Sequence, residues 1–111
     1  MVQLSVGTIH EPQDVAAFAR FVAEATRLAG PDRCVVWATI YRPGVDGVIY
    51  AGFNRILAAH VASHANMRLV DWNGMVRRHR HWVATTDRVH PVAAGYRARA
   101  RAIASAVRSC S

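Results

Sequence analysis

Cys34-Val35-Val36-Trp37-Ala38-Thr39-Ile40-Tyr41 is a nearly continuous run of apolar and β-branched residues. A strand with one wet face alternates apolar and polar residues. An unbroken apolar strand is covered on both faces, as in a parallel sheet with helices on either side. The run starts after Gly30-Pro31 and ends at the loop Arg42-Pro43-Gly44 through Gly47.

The flanking segments fit that frame. Val2, Leu4 and Val6 alternate within Met1 to Val6, which predicts a short strand followed by a turn at Gly7-Thr8-Ile9-His10. Pro12 is expected to open a helix, with Glu11 and Asp14 near its positive end. Its apolar stripe is Val15, Phe18, Val22, Ala25 and Ala29. A second helix is expected from about Ile49 to Ala65, with Phe53, Ile56, Leu57 and Val61 inward. Met67 to Trp72 reads as a third strand, and Asn73 to Trp82 as irregular or briefly helical. The last helix follows Pro91 and ends near Arg108, with Val92, Tyr96, Ala100, Ile103 and Val107 on one side. Strand, helix, strand, helix, strand, helix implies an open α/β sheet with right-handed crossovers.

A chain of 111 residues with 52% hydrophobic and 19% charged residues fits one small domain with a real core. The net charge of +7 comes from arginine, since there is no lysine. Most arginines are scattered, and only Arg77, Arg78 and Arg80 form a tight group. The charge reads as a mostly solvated surface rather than a nucleic-acid footprint. No apolar run reaches about 18 residues, so no transmembrane helix is expected. Met1 to Val6 lacks the features of a signal peptide.

Cys34 and Cys110 are either two buried thiols or one disulfide. In a parallel sheet the helices run back, so Cys110, after the last helix, returns to the edge where the strand of Cys34 begins. If the two bond, the protein belongs to an oxidising, extracytoplasmic compartment.

Chemistry centres on Asp87-Arg88-Val89-His90-Pro91. An acid three residues before a histidine can hold one ring nitrogen and leave the other as a general base. The plainer reading has Asp87 capping the next helix and His90 as an ordinary loop residue. His60 and His64 lie four apart on a helix but lack a third ligand, and read as an exposed face with no metal. Arg77-Arg78-His79-Arg80-His81 is the best anion-binding patch. Trp72 and Trp82 read as packing for the last helix. Asp71 is expected to hold the loop of Asp87, and Asn54 to anchor its helix.

Taken together, VVWATI, FNRIL with Asn54, MRLVDW, Trp82 and DRVHPVAAGYRARA resemble the C-terminal part of SGNH hydrolases, the GDSL-type esterases and lipases. The fit is nearest to SGNH domains of bacterial secreted proteins and of those fused to membrane O-acyltransferases. The resemblance implies a three-layer flavodoxin-like α/β fold and serine-based cleavage or transfer of acyl esters, without a cofactor. It assigns His90 as base and Asp87 as its orienting acid.

The chain departs from that family at the start. Its Gly-Asp-Ser motif is absent, and Ser5 lies within a strand. Gly7-Thr8-Ile9-His10 puts Ile9 where the family has an oxyanion-hole asparagine. Loss of such a donor costs about 3 kcal/mol of transition-state stabilisation. Ser63, Ser105, Ser109 and Ser111 fall in or after helices. The expectation is therefore a single partial domain over residues 1–111, with about three parallel strands, inactive alone. It would act on an acyl ester only when completed by an N-terminal half. The strand Val2 to Val6 would then be an open edge, favouring a homodimer or another chain. The rival reading is a non-catalytic arginine-rich module that binds an anionic partner.

Overall fold

The computed structural model describes residues 2–4 and 11–110. The domain is mixed α/β with a parallel sheet. Strands β1 (Val2–Leu4), β2 (Val35–Ala38) and β3 (Met67–Val70) lie in the order β1-β2-β3. Val35 stands opposite Val2 on one side and Met67 on the other. Among the described residues, four α-helices accompany the strands: α1 (Val15–Ala29), α2 (Ala51–Ala62), α3 (Trp72–Arg78) and α4 (Ala93–Arg108). A 3-10 turn spans Arg80–Trp82.

The two faces of β2 explain its unbroken apolar sequence. Val35 and Trp37 point into a core with Phe18 and Val22 of α1 and Phe53 and Leu57 of α2. Phe18 and Phe53 stack with centroids 4.1 Å apart. Val36 and Ala38 point the other way, to Val76 of α3 and to Ala102, Ile103, Ala106 and Val107 of α4. Thus α1 and α2 cover one face, and α3 and α4 the other. Two successive crossovers of the same hand, stepping in one direction, give the first arrangement.

Several element boundaries differ from the sequence reading. Pro12 is buried in a turn, and α1 begins three residues later at Val15, which is exposed. Residues 73–78 are helical because the chain turns at Asp71, whose Oδ1 caps the Gly74 N–H at 3.1 Å. Tyr96 was expected inward and is 51% exposed, as is much of Val92. Gly95 explains the rotation. It is buried against Trp82, where a Cβ would overlap the Trp82 carbonyl. Gly95, Ala98 and Ala102 therefore face inward at helical spacing, and Tyr96 turns away.

The edge where β2 and β3 begin is tied together covalently. Cys34 and Cys110 form a disulfide with Cα atoms 5.9 Å apart. Arg68 donates to Ser109 Oγ and to the Ser109 carbonyl, each at 2.9 Å. Asn66 Nδ2 donates to the carbonyls of Gly30 and Arg33 at 3.1 and 2.8 Å. The end of α4 thus returns to the start of β2, as the parallel topology requires. Among the described residues, no helix is long and apolar enough to cross a membrane.

Candidate functional site

The opposite edge, beyond the carboxyl ends of β2 and β3, is where open α/β sheets bind ligands. A buried threonine and the polar side chains around it fix its floor. Thr39, just past β2, donates to Asp71 Oδ1 at 2.9 Å and accepts the Asn73 N–H at 2.9 Å. Asp71 therefore binds Thr39 and the start of α3, not the loop of Asp87 as the sequence suggested. Asn54 of α2 grips the Ile40 backbone at both ends, accepting its N–H at 2.7 Å and donating to its carbonyl at 3.0 Å. It anchors α2 to the segment after β2.

The loop of Asp87 and His90 is closed at its neck. Val83 and Pro91 form an antiparallel bridge. The Ala84 N–H donates to the His90 carbonyl, and the Arg88 N–H to the Ala84 carbonyl, both at 2.9 Å. The Val92 N–H donates to the Trp82 carbonyl at 2.9 Å. Pro91 also restricts the backbone of His90. Arg88 takes the left-handed conformation at φ 56°, which is costly for a residue with a side chain. That tight turn brings residues 87 and 90 together.

Asp87 divides its carboxylate between two tasks. Oδ1 accepts the backbone N–H groups of Val89 at 2.9 Å and His90 at 3.1 Å. Oδ2 meets Nδ1 of the His90 imidazole. The Val89 N–H, then the His90 ring, then the His90 N–H hold the Asp87 carboxyl down at about 2. The carboxylate is thus charged wherever histidine titrates, and it favours the tautomer with its proton on Nδ1. The His90 side chain is 75% exposed, and its Nε2 has no partner among the described residues. A base oriented by an acid, with its second nitrogen open, can accept a proton from a group placed against it. Ser63 instead bonds the His60 carbonyl, and Ser109 the Ala106 carbonyl. Ser5, Ile9 and the turn Gly7–His10 lie outside the described residues.

The basic patch is larger than its sequence cluster. Arg77 and Arg80 line a cleft of about 220 Å³ together with Arg42 and Asn73. Arg42 and Arg80 also line a neighbouring cavity of about 180 Å³ with Arg88. The grouping of Arg42 and Arg88 with them is not visible as a run in the sequence. The available signal is positional, since each lies in a loop expected at the carboxyl edge.

Among the described residues, no cluster of three or more His, Cys, Asp or Glu side chains is placed to hold a metal. His60 and His64 stack on each other at 4.2 Å. The His60 Nε2 pairs with Thr26 Oγ1 at 2.5 Å, and burial followed by the nearby His64 lowers its pKa. Trp72 and Trp82 stack at 6.3 Å, with Arg99 over Trp72 at 5.3 Å. No family model matches this chain, and no curated protein matches it.

Proposed function

We propose that Asp87 and His90 are the acid–base pair of an SGNH-type ester hydrolase or acyltransferase, in a flavodoxin-like domain whose serine comes from a segment beside β1. The observation that carries this reading is the pair itself: a charged carboxylate on Nδ1 and an open Nε2. The sheet order adds support. Among the described residues β1 is an edge strand, and α1 and α2 cover one face of the neighbouring strands and the last helix the other. A flavodoxin-like sheet continues beyond such a strand.

The chemistry needs His90 twice. Nε2 takes the serine hydroxyl proton as Oγ bonds to the acyl carbon, and the ester C–O bond breaks with that proton passing to the alkoxide. His90 then deprotonates the water or alcohol that releases the acyl group. Asp87 keeps the ring oriented and stabilises the imidazolium. The disulfide fits an extracytoplasmic setting. The open side of β1 would pair with the serine-bearing segment, or with a second copy in its absence.

The reading frame upstream of Met1 tests the proposal. An in-frame Gly-Asp-Ser segment, co-expressed with this chain, should yield hydrolysis of p-nitrophenyl acetate that His90→Ala abolishes. The 111-residue chain alone should give no turnover above background. His90-dependent turnover by the isolated chain, or an upstream frame without such a segment, would defeat it.

A further inference from the structure

The arginines beside this loop form a feature that acid–base chemistry does not use. Four arginines from three separate segments line the two cavities: Arg42 after β2, Arg77 and Arg80 in the last turn of α3 and the 3-10 turn after it, and Arg88 between Asp87 and His90. Gathering like charges costs free energy unless an anion balances them. Among the described residues, none of the four forms a salt bridge, and no carboxylate lines either cavity. The two cavities share Arg42 and Arg80, while Arg77 serves one and Arg88 the other. Two anionic groups a short distance apart would each meet three guanidiniums. Ile49, 67% exposed at the rim of the larger cavity, offers an apolar surface to the rest of such a ligand.

We propose that this cleft binds a small molecule bearing two adjacent anionic groups, with a diphosphate as the simplest case. Planar guanidinium forks match phosphate oxygens, and Arg42 and Arg80 bridge the two groups. The small volumes, about 180 and 220 Å³, suit a compact ligand rather than a polymer lying along a groove. This site stands apart from ester cleavage, since neither Asp87 nor His90 lines it.

Calorimetric titration of the disulfide-bonded chain with inorganic pyrophosphate tests the site. Orthophosphate and a short single-stranded oligonucleotide serve as comparisons. Pyrophosphate should bind at least about tenfold more tightly than orthophosphate. Arg42→Ala and Arg80→Ala should each weaken it by about tenfold or more, with circular dichroism confirming the fold. Arg20→Ala, on α1, should change nothing. Equal affinity for the two phosphates, indifference to both substitutions, or tighter binding of the oligonucleotide would overturn the proposal.

Discussion

Asp87 holds both the backbone and the ring of His90: one carboxylate oxygen accepts the His90 N–H at 3.1 Å, and the other meets Nδ1 of its imidazole. The acid is therefore built into the turn that presents the base. Replacing it should disturb the loop as well as the ring. Asp87→Asn retains an acceptor oxygen for the backbone but loses the charge beside Nδ1. Amide hydrogen exchange at Val89 and His90 should stay slow in this variant and speed up in Asp87→Ala, which has no acceptor for either N–H, while both keep the fold by circular dichroism. Equal exchange in the two variants would mean the Asp87 oxygen does not hold this turn in solution.

Among the described residues, His60 and Asp87 give stability a pH dependence in separate windows. The His60 pKa lies below its ordinary value of 6.5, first because of burial and then because of His64. The unfolded chain therefore binds this proton more readily, and stability falls as pH drops through and below that value. Asp87 is depressed from 3.8 to about 2, so its contribution is present above 3.8 and is lost as pH falls toward 2. Urea denaturation from neutral to acid pH should show both declines. His60→Gln should flatten the first and leave the second.

The disulfide closes a separation of 76 residues. By loop-closure entropy it contributes about 4 kcal/mol. A Cys34→Ser/Cys110→Ser double variant should lose stability on that scale, and reduction of the native chain should lower its Tm. Equal denaturant midpoints for oxidised and reduced protein would show that the bond is not formed.

Gly95 is a helical glycine held by packing. Alanine favours a helix interior over glycine by about 1 kcal/mol. At this position, however, its methyl would collide with the Trp82 carbonyl. Overpacking costs about 1–3 kcal/mol, so Gly95→Ala should be neutral to clearly destabilising instead of stabilising. A raised Tm would show that α4 sits farther from Trp82 than described.

Much of this architecture is legible in the sequence because burial leaves a periodic trace. The run from Val35 to Ala38 announces a strand covered on both faces, and Phe18, Val22, Phe53 and Leu57 keep helical spacing toward one of them. Parallel topology also brings Cys34 and Cys110 to one edge. Tyr96 misleads because an apolar stripe does not reveal that Gly95 offers the closer approach. Asp71 misleads because its partner, Thr39, lies 32 residues away. Asp87 and His90 are readable because three residues span a tight turn. The joining of Arg42 and Arg88 to Arg77 and Arg80 depends on loops meeting in space, which local pattern does not encode.

The central claim is that Asp87 fixes the His90 imidazole with Nε2 free to accept a proton. Long-range nitrogen-15 correlation of the ring, recorded well above the ordinary histidine range, reads the tautomer directly. The native chain should show a protonated Nδ1 and a bare Nε2, with that preference lost in Asp87→Asn. A proton on Nε2 in the native chain would contradict it.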